Sequence, residues 1–403
     1  MKFERAKNPK VVFALIGIIL LSLLAFQIGR AMQTATTNYF LETPIPVADY
    51  YVSQYSNSSY FAVNGSNWDN FLVDSNASYV INTCLRNLTP GRTWKETVLL
   101  TGNITLTAPI LVANYTKLVI TGELKLANGI NTGATAINMI QEYGDYSFAE
   151  HVFIEICGGG VINGNRLNQD NNADAVYFDG DGGMGWSVHD LFFKEVRGYA
   201  MRLEQLGESY VDNIYCMGGP TDCYGGIAVI GCWDCQFTNL FLCTIGTDSH
   251  YALAVTASTT VCSFTNVESG GGQGIAVNGA FLTFSELQMY DHWNGAMKFF
   301  DDGSNYARFI TVNGGVFADN SQGSDGTYSH IKIYGHAHHI AITGVTFTDD
   351  QRSVTDQTCK YAVEEAENAD YNSVTCCIAT GQATGAWNII GGNSIQAGNI
   401  PSS

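Results

Sequence analysis

Positive charge is what this chain has least of. Its 403 residues carry 19 Lys and Arg against 37 Asp and Glu, a formal net charge of −18. Phosphate backbones are held by clustered Lys and Arg, so the balance argues against a nucleic-acid partner. It leaves room for a local basic patch facing an acidic glycan. Proline is scarce too, 7 residues against 43 glycines, as expected of tight turns between β-rich segments. Charged residues make up only 14%. No 3.6-residue apolar period runs through the middle of the chain, which disfavours helical repeats.

What the middle does carry is a recurring strand. The segments AVYFDG (175–180), AMRLEQ (200–205), GIAVIG (226–231), ALAVTA (252–257), GIAVNG (274–279), AMKFFD (296–301) and HIKIYG (330–335) each alternate apolar and variable positions. That period of two marks a half-buried strand. Met201, Ile227, Leu253, Ile275 and Met297 fall 26, 26, 22 and 22 residues apart, a spacing that means stacked repeats. A second strand keeps the same beat: VHDLFF (188–193), VDNIYC (211–216), FTNLFL (237–242), FTNVES (264–269) and FSELQM (284–289). The chain therefore reads as all-β, a parallel β-helix in which Asn213, Asn239 and Asn266 share one register and form a ladder of amides at a corner. A solenoid of this length counts as one domain, residues 74–395, with a tail at 396–403.

The N-terminal end differs. Residues 11–29 hold 19 positions without charge, preceded by Lys2, Arg5, Lys7 and Lys10 and followed by Arg30. That length suits a transmembrane anchor better than a signal peptide, and the Lys/Arg bias places residues 1–30 as a cytoplasmic stub and membrane helix. Everything after residue 30 is then extracellular. Residues 31–73 read as a stalk or N-terminal strand region. Six N-x-S/T sequons, at Asn57, Asn64, Asn76, Asn87, Asn103 and Asn114, all lie in the first third and point to a glycosylated membrane-proximal segment. Residues 74–88 have helical apolar spacing, with Asp74 or Ser75 as N-cap.

Eleven cysteines also suit an oxidising compartment. Cys235 and Cys262 each precede a rung phenylalanine by two residues, so they stack on adjacent turns within disulfide reach. Cys232 with Cys235 spells a CxxC, but no matched second pair follows, so zinc is not expected there.

The run TVLLTGNITLTAPILVANYTKLVITG (97–122) followed by IEICGGGVINGN (154–165) resembles the entry to pectin-lyase-like right-handed parallel β-helix proteins. Thr105, Thr107, Pro109 and Ile110, then Gly158, Gly160, Ile162 and Gly164, carry the likeness. The resemblance implies a short capping helix before a right-handed β-helix over residues 74–395. It implies no particular chemistry, since N-T-D, Q-D-D, G-H-G and R-I-K signatures of polygalacturonases are absent, as is a recognisable calcium-dependent lyase triad.

Chemistry is sought on the outward positions. One outward row reads Tyr177, Arg202, Ala228, Ala254, Ala276, Lys298 and Lys332: an alanine floor between cations and aromatics, which either outlines a glycan groove or sits under a covering loop. The turn leading into this sheet holds Asp222, Asp248, Asp291 and Asp325, with Tyr224, His250, His292, Trp293 and Tyr328 nearby. Asp222, Asp248 and Asp291 are candidate acids and bases, separated by about 5 to 10 Å at rung spacing. His250 is a candidate base; Arg202, Lys298, Lys332, Trp293 and Tyr177 are candidate substrate contacts. Asp301 and Asp302 are a candidate Ca²⁺ pair. His336, His338 and His339 cluster without supporting carboxylate spacing, and no resident metal is assigned. The expected activity is polysaccharide binding at the cell surface, with hydrolase or lyase cleavage left open. The alternative is a self-associating adhesin, sheath or filament subunit.

Overall fold

The computed structural model describes residues 48–56, 59–131, 137–143, 150–216, 223–243, 250–324, 326–349, 358–366 and 368–401. The expected membrane helix at 11–29, the sequon Asn57 and the turn residues Asp222, Asp248 and Asp325 lie outside them. Among the described residues no helix is long and apolar enough to cross a membrane.

The alternation read from the sequence becomes two ladders of parallel strands. One sheet has 11 strands, from Ile110–Val112 to Trp387–Asn388, each paired in parallel with the strand one coil away. Its inward column runs Val176, Met201, Ile227, Leu253, Ile275, Met297, Ile331 and Val363 in direct register. All eight are buried. The second sheet has 20 strands and is bent, because most coils put a residue at positive φ in mid-strand. Asp190, Asn213, Asn239, Asn266 and Glu286 have φ between 52° and 57°, continued by Gly314 and Gly344 at 67°. Asn and Asp tolerate this region better than bulkier residues do. The amides also bond between coils: Asn266 donates to Asn239 Oδ1 (2.8 Å), while Asn239 donates to Asp212 Oδ1 (2.8 Å) and Asn213 to Asp190. The expected ladder thus forms directly only between Asn239 and Asn266.

The core is one continuous apolar cluster from Tyr50 to Ala379. Phe237, Phe264 and Phe284 stack on successive coils with ring centroids 4.7 Å apart. All-β with parallel coils and, among the described residues, a single α-helix, the architecture is consistent with a right-handed β-helix, the hand favoured for parallel crossovers.

The helix spans Ala77–Arg86. Its cap is Asn76, not Asp74 or Ser75, because the Asn76 side chain accepts from the Tyr79 N–H at 3.2 Å. Ala77, Val80, Ile81, Cys84 and Leu85 form its buried stripe. It is clamped to the first coils by Ser78, which donates to the Ala108 carbonyl, and by Asn82, which donates to that of Pro109. Residues expected as stalk or strand region contribute three strands, Tyr50–Ser56, Ser59–Asn64 and Asn70–Asp74, and the first pairs in parallel with Glu96–Thr101. Of the described sequon asparagines, Asn76, Asn87, Asn103 and Asn114 are exposed and Asn64 is half-buried.

The expected Cys235–Cys262 disulfide is not formed, and none of the eleven cysteines is in a disulfide. Register does place Cys235 and Cys262 on neighbouring coils, one residue ahead of the Gln236–Ser263 pair. In-register parallel strands hold Cβ atoms at the rung spacing of about 4.8 Å, longer than the roughly 3.8 Å a disulfide prefers. Their thiols donate instead to carbonyls, Cys235 to Trp233 and Cys262 to Thr260.

Candidate functional site

Strand register places the outward row as read. Tyr177, Arg202, Ala228, Ala254, Ala276, Lys298 and Lys332 are consecutive partners across the 11-stranded sheet, and the next coil adds Glu364. Seven rung steps make this row about 34 Å long. The strip has three parts with different chemistry.

At its N-terminal end the charges are paired. Arg202 Nε donates to Asp174 Oδ2 at 2.8 Å, and Asp174 Oδ1 accepts from the Tyr199 N–H at 2.7 Å. Arg202 is therefore no free substrate clamp. Burial pushes the Asp174 carboxyl above its ordinary range despite Arg202. Tyr177 is half-buried, 3.5 Å from Glu204 Oε2, and burial with that carboxylate nearby pushes its phenol up to about 12. Next to it Glu142 is also raised, by burial and then by Asp179 and Glu204. His250, the candidate base, is buried against Tyr199, ring centroids 5.1 Å apart. Burial lowers its pKa, so it is neutral at pH 7, while the Tyr199 phenol is pushed up to about 12, chiefly by burial.

The alanine floor is not open. Ala228, Ala254 and Ala276 are 1%, 6% and 1% exposed. Tyr199 packs with Ala228 and Ala254, and Ile230 and Tyr251 lean on the same cluster. Gly225 makes the close approach possible: a Cβ there would sit 2.6 Å from the Tyr199 ring. Of the two readings of the short side chains, groove bottom or covered floor, Ala228 and Ala254 take the second and seat two tyrosines.

Open space lies at the C-terminal end. A cavity of about 310 Å³ is lined by Lys298, Lys332 and Glu364 on the sheet, by Tyr334 just past its strand, and by Tyr251, Gln273, Asn294, Thr327, Tyr328 and Ser329 from the turns before it. Lys298 Nζ lies 4.3 Å from the Tyr251 ring centroid and donates to its hydroxyl. Lys332 is exposed, 5.7 Å from the Tyr334 ring. Lys298 and Lys332 are direct register partners, and neither forms an ion pair within the described residues. Glu364 is held by Lys360 at 2.9 Å and Ser329 at 2.7 Å; burial opposes its ionisation, but these bonds keep its pKa low. It is thus no general acid. Two cations, aromatic faces, amides and hydroxyls around one cavity match an anionic, hydroxyl-rich ligand.

The remaining candidates fall outside this cavity. Asp291 is exposed at φ 56°, at the end of Ala280–Tyr290, and Trp293 is 56% exposed beside it. His292 is fully buried and its Nδ1 lies 2.6 Å from the Gly271 carbonyl. Asp301 and Asp302 serve their own turn: Asp301 Oδ1 accepts from Gly303, Asp302 Oδ1 from Ser304 and Asn305, and Asp302 Oδ2 from Asn278. His336 pairs with Asp301, and His338 with His339. Sequence reasoning missed Asp174, Tyr199, Tyr251 and Glu364. Glu364 was within reach, since Ala362-Val363-Glu364 repeats the small–apolar–variable pattern one coil further on.

No family model and no curated protein matches the chain. Solved structures do. The mannuronan C-5 epimerase AlgE6 A-module of Azotobacter vinelandii superposes with a TM-score of 0.57 at 12% identity, covering 81% of this chain and 96% of that one. The tailspike protein of E. coli bacteriophage HK620, solved with a pentasaccharide, gives 0.58 at 10% identity over 81% of this chain and 63% of its own. The expected likeness to parallel β-helix proteins therefore stands as a shared fold.

Proposed function

We propose that this chain binds an acidic polysaccharide along the outer face of the 11-stranded sheet, seating a sugar carboxylate between Lys298 and Lys332. The observation that carries this reading is the lysine pair itself. Like charges on directly adjacent strands destabilise a sheet; among the described residues neither lysine forms an ion pair, and the carboxylate next in register to Lys332, Glu364, is already held by Lys360 and Ser329. An anionic ligand relieves that repulsion. Structural neighbours named for mannuronan epimerisation, or solved with bound oligosaccharide, support the same class of ligand. Anchoring by residues 11–29, an extracellular location and glycosylation at the sequons belong to the same proposal.

The test is binding of a polyuronate such as mannuronan, with neutral dextran as control. Wild type should prefer the polyuronate and weaken as salt rises. Lys298→Gln and Lys332→Gln should each cost about 1 kcal/mol, roughly fivefold in affinity. Equal binding of dextran, or a double variant that binds unchanged, refutes the proposal.

Modification of the bound glycan is a second reading, favoured by the neutral His250 imidazole beside the protonated Tyr199 phenol, a base and an acid in contact. Incubation with a polyuronate in D₂O should then give deuterated sugars or new chain ends, abolished by His250→Ala. Binding with neither product leaves a glycan-binding module. Silence in both assays favours the structural subunit instead.

A further inference from the structure

We propose that His330, Asp349 and Cys359 form a structural zinc site in the core of the C-terminal coils, independent of the glycan surface. His330 opens the strand Ile331–Ile333, Asp349 follows His338–Thr348, and Cys359 precedes Val363–Glu365. Three sequence-distant turns thus bring an imidazole, a carboxylate and a thiol together, with ligand atoms all within 4.8 Å of one another. The side chains of His330 and Asp349 are 0% and 1% exposed, and Cys359 is fully buried.

Two of the three atoms are unsatisfied. His330 Nε2 and Asp349 Oδ1 are buried without a hydrogen-bond partner, although they lie 3.3 Å apart. Buried polar atoms in that state are uncommon and call for a ligand. Zinc bonds of about 2.0–2.3 Å in a tetrahedron separate neighbouring ligand atoms by about 3.3–3.7 Å, which the 3.3 Å separation fits. The other carboxylate oxygen, Oδ2, accepts the Cys359 N–H at 3.0 Å, so Oδ1 is fixed toward the imidazole. One N–S–O set from a fully buried pocket suits zinc better than calcium or magnesium, which take oxygen shells. Asp319, 2% exposed, follows Ala318, the register partner of Thr348 just before Asp349, and is a candidate for a fourth ligand.

Binding forms Zn–N, Zn–O and Zn–S bonds and releases the Cys359 thiol proton to solvent. It also requires the proton of His330 on Nδ1. Asn320 Nδ2 now lies 3.1 Å from Nδ1 and donates to the Met289 carbonyl at 2.9 Å. The amide must turn over to accept from Nδ1–H, giving up that bond and its acceptor role toward the His292 N–H. Such ordinary hydrogen bonds are small beside the affinity of structural zinc sites, and the turned amide supplies the outer hydrogen bond that ligating histidines use.

The experiment is metal analysis of the purified full chain from zinc-supplemented expression, after exhaustive dialysis. About one zinc per chain is expected, falling at least tenfold in Cys359→Ser and in Asp349→Asn. Should both variants fail to fold, cobalt-supplemented wild type decides: a thiolate-to-cobalt charge-transfer band in the near ultraviolet is expected. Zinc-free wild type, variants with undiminished zinc, or bound cobalt without that band overturns the site.

Discussion

Truncating the middle ring of the phenylalanine stack tests whether this solenoid is held coil by coil. Phe264 is fully buried between Phe237 and Phe284, both 4.7 Å away with planes 11° and 10° from parallel. Phe264→Ala loses the burial of the ring, leaves a cavity and breaks two ring contacts, so about 3–5 kcal/mol is expected. Phe237 supplies the control. It is equally buried, at 1% exposure, but its partner one coil earlier is Val211, so it has one ring neighbour in the stack. A ring pair is worth about 0.5–1.5 kcal/mol beyond burial, and Phe264→Ala should exceed Phe237→Ala by that amount. Coils touch only their neighbours, so the damage should be local. Amide hydrogen exchange reads it: protection should drop across residues 253–290 and stay unchanged near residues 97–126. Equal losses at the two positions, or uniform loss along the chain, would refute the reasoning.

Three further outcomes follow from buried or strained groups. Burial lowers the His292 pKa from 6.5 to about 4, so the unfolded chain binds the proton first as pH falls. Stability is then intact above 6.5 and declines toward 4, by roughly 3 kcal/mol in all; urea midpoints at pH 7.5 and 5 should show it, and His292→Gln should flatten the difference. Asn266 has φ 55° and donates to Asn239, so Asn266→Ala should cost about 1–2 kcal/mol by chemical denaturation. Asn266→Gly should cost less, because glycine relieves the backbone term; the reverse order would count against strain at the corner. Thiol titration should find all eleven cysteines in denaturant without reductant, and fast reaction of the native chain at Cys376, the exposed one. Fewer than eleven would mean disulfides do form.

Period and register were legible because they depend on local alternation. Met201, Ile227, Leu253, Ile275 and Met297 pair as their spacing implied, and the capping helix lies where apolar residues recur at helical intervals. What alternation cannot convey is the layer above an outward residue. Ala228 and Ala254 face outward as read, yet Tyr199 and Tyr251 cover them, and those rings enter from the start of a strand and from the turn before it. Adjacency of Cys235 and Cys262 was likewise legible, but Cβ geometry was not. His330, Asp349 and Cys359 are separated by irregular turns rather than by the coil period, so no repeat aligns them.

Which face takes an anionic ligand is decided by how the cations are spent. On the bent sheet Lys95 and Lys117 both bind Glu155 at 2.6 Å, and Lys194 binds Glu123 at 3.1 Å. Around the 11-stranded sheet Arg202 is taken by Asp174 and Lys360 by Glu364. A carboxylate arriving at any of these must compete with one already in place, and exposed pairs yield little net energy in exchange. Lys298 and Lys332 differ because neither is in an ion pair among the described residues: each has the other's charge one rung away, and Glu364, one rung beyond Lys332, is already held by Lys360 and Ser329. Reversing Lys332 to Glu removes the repulsion and offers Lys298 a partner, but sets a second carboxylate beside Glu364 on the next rung. The new pair with Lys298 and the repulsion from Glu364 offset each other, so Lys332→Glu should leave the fold about as stable as wild type while abolishing preference for the polyuronate. Loss of stability together with unchanged binding would show that the pair is structural and that the ligand lies elsewhere.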